Sequence, residues 1–213
     1  MLLQNYYYCF PEGLPHHLCD DIVKFALAQK DELAMTGKFG NNKNLDQRQL
    51  EDLKGKRNSR VVWLSEPWIY KEIHPFIHQA NKAAGWNFTW DRSESCQFTK
   101  YKLNQHYDWH CDSWNKPYER KDPHHPEHGK TRKLSSILTL SSPDEYSGGE
   151  LELDYRNYEP VLRDDSQHVI RVPGSELKGT LIVFPSFVWH RVKPVTAGTR
   201  YSLPTWHIGA PFK

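Results

Sequence analysis

The sequence predicts an α+β fold that is mainly β, a double-stranded β-helix (jelly roll) core with N-terminal helices packed on one sheet. Apolar residues recur at a helical period only before Gly85, and short β-type stretches between turn signals follow it. Aromatic residues, 13% of the 213 residues, suit such strands. We expect a single domain over residues 1–213, with helical support in 1–94 and the jelly-roll core in 95–213.

The N-terminal part is predicted to be mostly helical. Leu18, Ile22 and Ala26 fall on one face of the first helix, and Pro75 should bend the second long helix because proline removes a backbone donor. The predicted elements are a strand at 4–10, a helix at 15–28, a polar loop at 37–56 with a short helix around 45–53, a strand at 60–64 and a helix at 67–84.

The C-terminal part is predicted to be a series of short strands. Turn signals at Gly148-Gly149, Pro173-Gly174 and Ala197-Gly198 separate them. The predicted strands lie at 95–103, 106–110, 133–140, 150–155, 168–172, 180–184, 189–195 and 200–208.

Composition indicates no particular polyanionic partner. The chain has 28 basic and 26 acidic residues and a net charge of +2, with no basic arm that would indicate nucleic acid. No apolar run approaches the length of a membrane span, and the first residues lack the pattern of a secretory leader. The four cysteines show no CxxC spacing, so we expect reduced thiols and a cytoplasmic location.

Two His-x-Asp pairs are candidate metal ligands, His106/Asp108 and His110/Asp112. Residues i and i+2 of a strand point to the same side, so either pair could present two ligands together. Two histidines and a carboxylate on one face of a metal leave the other positions open for a co-substrate and oxygen, as non-haem iron oxygenases require. In a chain with 12 histidines, however, either pair could also be polar residues on a solvated strand face.

The third ligand is contested too, between His168 with Lys178 and His190 with Arg200. In each case a cation follows the histidine by ten residues, where it could hold the free end of a dicarboxylate. Lys178 lies in a turn-rich segment and should face solvent. Arg200 begins an apolar strand with Ser202 on the same face, which suits a buried, bidentate contact with a carboxylate.

A family resemblance favours one of the two His-x-Asp pairs and one of the two candidate third ligands. The Tyr-x5-Tyr-x2-His-x-Asp segment from Tyr101 to Asp112 resembles that of prolyl-4-hydroxylase-like Fe(II)/2-oxoglutarate dioxygenases. The runs 148–151, 178–185, 189–195 and 198–203 with Trp206 are similar to the same family, in the same order, over about 95–208. Only His110 has tyrosines nine and three residues before it. The resemblance therefore selects His110 and Asp112, and likewise His190.

The resemblance implies iron held by His110, Asp112 and His190, and 2-oxoglutarate held by Arg200 with Ser202 and Tyr101. The implied activity is hydroxylation of an unactivated C–H bond with O2, releasing succinate and CO2, with ascorbate as a candidate reductant. No other catalytic residue is implied. The expected substrate is a prolyl residue of a peptide or protein. The alternatives are the same chemistry on a free amino acid, another side chain or a nucleobase, and a non-catalytic jelly-roll binding protein.

Aromatic residues near these ligands are candidates for the substrate pocket. They are Tyr107, Trp109, Trp114, Tyr118 and Trp206, each of which could instead be packing. Trp114 and Tyr118 lie in a polar insert, 113–132, which directly follows the metal pair and is expected to form a lid. The insert also carries His124, His125 and His128. Because lysine, proline and glutamate surround these histidines, we expect a solvated loop rather than a second metal site.

Overall fold

The computed structural model describes residues 3–37, 44–114, 116–155 and 168–212. Its helices are α1 (His16–Leu27), α2 (Gln47–Lys56) and α3 (Pro67–Ala83). Its strands are β1 (Tyr8–Phe10), β2 (Glu32–Leu33), β3 (Arg57–Asn58), β4 (Arg60–Leu64), β5 (Arg92–Ser93), β6 (Cys96–Tyr101), β7 (His106–His110), β8 (Thr131–Thr139), β9 (Tyr146–Gly148), β10 (Leu151–Asp154), β11 (Val169–Arg171), β12 (Leu181–Pro185), β13 (Trp189–Val192), β14 (Val195–Gly198) and β15 (Arg200–Gly209).

Two antiparallel sheets form the core. The larger has the order β1-β12-β8-β15-β6-β4-β2, with β5 paired to β15, and the smaller has the order β11-β10-β13-β7-β3. One apolar cluster, which includes Tyr101, Phe184, Leu153 and Val192, joins the two sheets. The predicted mainly β jelly roll is confirmed.

Helices α1 and α3 cover the outer face of the larger sheet. Ile22 of α1 and Ile73 of α3 are fully or almost fully buried with Leu134 and Leu138 of β8 in one cluster. Each of these two helices buries one face because its apolar residues recur at helical spacing. Helix α3 continues through Pro75. The predicted placement of helices on one sheet is therefore confirmed.

The short helix predicted around 45–53 is present as α2. Asp46 caps it: its carboxylate accepts from the Gln49 backbone N–H at 2.8 Å, and the Gln49 side chain accepts from the Asp46 N–H. This capping box satisfies two of the N–H groups that a helix start leaves open. Residues 38–43 of the predicted polar loop lie outside the described residues. No helix among the described residues combines the length and apolar character needed to cross a membrane.

The strand predicted at 189–195 is two strands. β13 ends at Val192, and Val195 begins β14, which pairs with β9 as a separate two-stranded sheet. Pro194 lies at the break, where it cannot donate to a ladder. At Gly148, whose φ is +74°, a Cβ atom would lie 2.4 Å from the Pro194 oxygen, so this strand pair requires glycine there.

Candidate metal centre and co-substrate pocket

Three side chains converge where β7 and β13 meet in the smaller sheet. His190 of β13 lies directly opposite His110 of β7, and Asp112 follows β7 by two residues. His110 Nε2 is 3.8 Å from Asp112 Oδ1, and His190 Nε2 is 3.5 Å from Asp112 Oδ2. The candidate ligand atoms all lie within 4.8 Å of one another. Two imidazoles and one carboxylate in this arrangement match the donor set of a non-haem iron site.

Hydrogen bonds define which nitrogen of each imidazole faces the centre. His110 Nδ1 is 2.8 Å from the Asp108 carbonyl oxygen, and His190 Nδ1 is 3.0 Å from that of Val188. Because a carbonyl only accepts, each Nδ1 carries the proton and each Nε2 has a free lone pair. Burial, followed by the neighbouring His190, holds the pKa of His110 well below its usual value. His110 is thus kept neutral, the form that binds metal.

Asp112 is held ionised and oriented. Burial by itself would raise its pKa, but the electrostatic influence of the neighbouring His190, His110 and Arg132 outweighs burial and lowers the pKa to about 2. The Ser135 hydroxyl donates to Asp112 Oδ2 at 2.7 Å and lies 2.9 Å from Ser186 Oγ. The Asp112 backbone N–H donates to the Ser186 oxygen at 2.8 Å. Sequence analysis missed Ser135, although an inward-facing serine in a central strand is a signal that could have found it.

His110 is the first of three planar groups that stack on one another. The Tyr107 ring lies on the His110 ring with centroids 3.5 Å apart, and the Arg57 guanidinium carbon is 4.4 Å from the Tyr107 centroid. Arg57 is buried and donates to Ser59 Oγ and to the Met35 carbonyl oxygen. Burial raises the pKa of Tyr107 to about 12, so it stays neutral. Arg57 was not predicted, because only the pairing of β3 with β7 brings it here.

Arg200 is the buried cation of the inner face. It is 2% exposed, and its Nη1 donates to Ser202 Oγ at 3.1 Å. Its Nε is buried without a hydrogen-bond partner among the described residues, as expected of a guanidinium shaped to receive an anion. Tyr101 lies opposite on β6, with its ring centroid 5.6 Å from the guanidinium carbon. The predicted co-substrate residues Arg200, Ser202 and Tyr101 are therefore adjacent.

Gly149 allows Arg200 to take this position. A Cβ atom there would lie 2.8 Å from Arg200 Cδ, and the φ of Gly149 is +66°, which also favours glycine. The arginine stem therefore fills space that any side chain at residue 149 would occupy. The groups present fit a dicarboxylate whose free end pairs with a fixed, buried guanidinium.

The competing ligand candidates lie elsewhere. The His106 ring contacts the carbonyl oxygens of Asn104 and Gly55, and the Asp108 carboxylate pairs with Lys56 at 3.4 Å. His168 is exposed. Among the described residues, the only cluster suited to a metal is His110, Asp112 and His190.

The side chain of Lys178 was expected to face solvent, but it is mostly buried. Its side chain is 11% exposed and its ammonium pairs with Asp20 of α1. The turn that carries it packs against the helix layer, and this packing covers the lysine stem. Lys178 therefore lies on the helix side of the larger sheet, in a structural ion pair.

Two cavities meet at Asp112. One, of about 360 Å³, is lined by groups that include His110, Cys111 and Trp114. The other, of about 330 Å³, is lined by groups that include Trp63, Trp114 and Trp206. The residues common to both are Thr36, Gly37, Tyr107, Asp112, Trp114 and Arg132. We call the two cavities together the groove.

The predicted aromatic residues divide into those that line the groove and those that do not. Tyr107 and Trp114 line both cavities and Trp206 lines one. Tyr118 contacts Trp114 edge-on, with centroids 5.4 Å apart. Trp109 is buried beneath Arg191, whose guanidinium carbon is 4.6 Å from its ring, and lines neither cavity.

Arg132 is a further group that sequence analysis missed. Its guanidinium carbon lies 3.8 Å from the Trp206 centroid and 4.7 Å from the Trp114 centroid. Glu94 accepts from its Nε at 2.8 Å and its Nη2 at 2.6 Å, and Tyr118 also donates to Glu94 at 2.7 Å. This bidentate pair holds the cation at the junction of the two cavities.

The polar insert is tied to the groove at one end and solvated at the other. Trp114 and Tyr118 make the contacts above, whereas His124, His125 and His128 are exposed. The Nδ1 atoms of His125 and His128 accept from the backbone N–H groups of Glu127 and Arg120. These histidines therefore support the loop itself, and they are not part of a metal cluster among the described residues.

Comparison with known proteins identifies the family. Residues 96–208 match the model of the 2OG-Fe(II) oxygenase superfamily. The chain belongs to this superfamily. Its members use Fe(II), 2-oxoglutarate (2OG) and O2, and the His-Asp-His triad lies within the matched region.

Curated relatives within the superfamily match about half of this chain. A PKHD-type hydroxylase of Xylella fastidiosa is 33% identical over 111 residues, 52% of this chain and 42% of the relative. The PKHD-type hydroxylase YbiX of Escherichia coli is 34% identical over 111 residues, 51% of this chain and 40% of the relative. The match thus spans less than half the length of either relative.

Solved structures of prolyl hydroxylases share the fold over nearly the whole chain. A Pseudomonas putida prolyl-4-hydroxylase has a TM-score of 0.64 at 19% identity, covering 96% of this chain and 93% of that one. A viral collagen prolyl hydroxylase from Paramecium Bursaria Chlorella virus-1 has a TM-score of 0.61 at 20% identity, covering 98% of both chains. At these identities the likeness establishes the fold.

Proposed function

We propose that this chain is an Fe(II)- and 2OG-dependent dioxygenase that hydroxylates a prolyl residue of a peptide or protein and releases succinate and CO2. The observation that carries the proposal is the pairing of a His-Asp-His triad with a buried arginine that has an open donor. A binding protein that had lost catalysis would be expected to lack a ligand or the cation. This chain has all three candidate ligands and the cation.

The residues present divide the work of such an enzyme. His110, Asp112 and His190 would hold Fe(II), and Arg200 with Ser202 would hold the 5-carboxylate of 2OG beside Tyr101. When bound, Fe(II) and 2OG supply the oxidising chemistry that activates O2 and inserts one oxygen atom into a C–H bond. The chain itself orients the groups: Ser135 holds Asp112, the Asp108 and Val188 carbonyls hold the imidazoles, and the apolar inner cluster excludes water.

Residues 95–213 would carry the ligands, but residues 1–94 contribute more than support. Arg57 stacks on Tyr107, Glu94 holds Arg132, and Trp63 lines the groove. The N-terminal part would therefore shape the substrate site.

The shape of the groove favours a polypeptide substrate over a free amino acid. Two cavities share Asp112 and each has further lining residues of its own, so a chain could pass the centre with one segment in each cavity. A free amino acid would need only one closed pocket. The names of the structural neighbours agree, since they include a prolyl hydroxylase from Trichoplax adhaerens in complex with a peptide fragment.

The test is succinate formation by protein loaded with Fe(II) and 2OG under nitrogen and then exposed to air. We expect proline-containing peptides to stimulate it and to gain one oxygen atom on proline by mass spectrometry. Matched peptides with alanine in place of proline, and the Asp112→Ala variant, should give background values. Stimulation by amino acids or oligonucleotides, without any by proline peptides, would replace this substrate with another.

A further inference from the structure

The two cavities of the groove differ in chemistry. The one that we call the aromatic arm is lined beyond the shared residues by five apolar side chains and three polar ones: Leu33, Met35, Val61, Trp63 and Trp206, with Glu32, Arg57 and Gln97. The one that we call the polar arm is lined beyond them by Asp52, Lys56, His110 and Cys111. A chain passing Asp112 would therefore meet unlike surfaces on its two sides.

Strand alternation builds the wall of the aromatic arm. On β4, Val62 and Leu64 belong to the cluster beneath the helices, whereas Val61 and Trp63 line the arm. The Trp63 and Trp206 rings lie 6.2 Å apart by centroid, and Arg132 lies over Trp206. An aromatic surface thus runs from Arg132, beside the centre, to β4 near the edge of the larger sheet.

Much of the Trp63 side chain in this surface is exposed. It is 45% exposed, and its Nε1, the one polar atom of the side chain, donates to Glu32 Oε1 at 3.2 Å. The exposed remainder is apolar carbon. A large apolar surface next to a candidate reaction centre is typical of a binding site.

The polar arm adds no large aliphatic side chain to the shared residues. Asp52 and Lys56 lie one turn apart on α2 and both line it. The Lys56 ammonium donates to the Trp109 carbonyl oxygen at 2.5 Å and pairs with Asp108, so a cation and its carboxylate lie beside this cavity. Covering these groups with an apolar side chain would remove them from water at a cost.

We propose that the groove selects its substrate by the residues next to the oxidised one, with a large apolar side chain in the aromatic arm and a polar one in the polar arm. The aromatic arm is continuous with the candidate centre through Asp112 and Arg132. This continuity identifies the occupant of the arm as the flanking segment of the same substrate chain. The inference rests on the proposed polypeptide substrate.

The experiment uses four labelled peptides with a central proline: leucine before and serine after it, the reverse, serine on both sides, and leucine on both sides. Binding is measured by fluorescence anisotropy to protein loaded with Fe(II) and 2OG under nitrogen, so that no turnover is needed. The kcat/KM for hydroxylation is then measured in air.

One of the two mixed peptides should bind roughly tenfold or more tighter than the serine-only peptide, the usual range for filling an apolar pocket. Trp63→Ser should reduce this difference to about twofold or less. Phe25→Ser is the matched control: Phe25, 37% exposed on α1, lies on the helix side and should not alter the preference.

Equal binding of all four peptides, or a preference that survives Trp63→Ser, would overturn the assignment of the aromatic arm. The mixed peptide that binds best should also bind more tightly than the leucine-only peptide, since the polar arm disfavours leucine. Absence of turnover with every peptide would instead contradict the proposed function, and the anisotropy result would still decide the arm. Unchanged thermal unfolding of both variants shows that the fold is intact.

Discussion

The hydroxyl group of Ser135 donates a 2.7 Å hydrogen bond to Oδ2 of Asp112. This contact prevents the carboxylate from rotating freely between the two histidines. The next residue, Ser136, faces the opposite side of β8, where its hydroxyl contacts the Thr205 oxygen and His207. Two adjacent serines therefore serve different layers of the fold.

Ser135→Ala should weaken Fe(II) binding by about 10- to 100-fold, the usual effect of removing a hydrogen bond that orients a metal ligand. The measurement is an anaerobic Fe(II) titration. Ser136→Ala is the control and should change the affinity by less than about twofold, since its hydroxyl faces the helix layer. Equal losses in both variants would indicate that the effect comes from strand packing and not from Asp112.

Replacing a proposed iron ligand should abolish both iron binding and succinate formation. His110→Ala and Asp112→Ala each leave an incomplete triad, so the loss should be nearly total. His106→Ala and Asp108→Ala should retain iron, because the His106 ring contacts the carbonyl oxygens of Asn104 and Gly55 and Asp108 pairs with Lys56. Iron content is measured on protein reconstituted under nitrogen. Similar losses from both pairs would contradict the assigned register.

Arg200→Ala should weaken 2OG binding by roughly 3–5 kcal/mol, the usual cost of breaking a buried charge pair. This corresponds to about two to four orders of magnitude in affinity, with iron still bound. Arg200→Lys should rescue binding only partly, because an ammonium lacks the planar fork of the guanidinium. The measurement is a titration of 2OG into anaerobic Fe(II) protein, followed by the metal-to-ligand charge-transfer band.

Lys178→Ala is the control for Arg200, since Lys178 pairs with Asp20 on the helix side. It should leave 2OG affinity unchanged. If Lys178→Ala abolished 2OG binding while Arg200→Ala did not, the co-substrate site would be misassigned and His168 would become the candidate third ligand.

Stability should fall in mild acid because of His207. Burial, followed by His74 and His78, lowers its pKa from 6.5 to about 3. The unfolded chain takes up this proton near pH 6.5, whereas the folded chain does so only near pH 3. The stabilising contribution of His207 is therefore complete above pH 6.5 and is lost progressively as the pH falls towards 3, by up to about 1.4 kcal/mol per unit.

The test is urea unfolding of the parent and of His207→Gln between pH 7.5 and 5. The free energy of unfolding of the parent should fall more steeply with acid than that of the variant. Glutamine can keep contacts with Ser93 and Ser136, which bond the two ring nitrogens at 2.8 and 3.2 Å. His128→Gln, an exposed replacement, should follow the parent. Parallel curves for all three proteins would contradict the role of His207.

Local sequence patterns sufficed for most elements. The apolar stripes of α1 and α3 and the alternation along β7 are short-range signals, and they act wherever the segment lies in the fold. The strands β2, β3, β5 and β9 were not predicted, because two or three residues are too few to show a period.

The candidate iron ligands could be selected from the sequence only through the ordered motif. Composition and strand alternation allowed both His-x-Asp pairs, and they allowed His168 as well as His190. The tyrosines before His110 and the segment around Arg200 favoured one choice of each. In the structure β7 and β13 are neighbours, and their register places His110 opposite His190.

What the sequence by itself determined is therefore the helices, most strands and the set of residues suited to iron and 2OG. What only the tertiary structure decided is which distant residues complete the groove. Arg57 reaches Tyr107 through the pairing of β3 with β7, and Trp63 meets Trp206 across the larger sheet. These contacts depend on strand pairing and register between segments far apart in the chain, and no local periodicity encodes them.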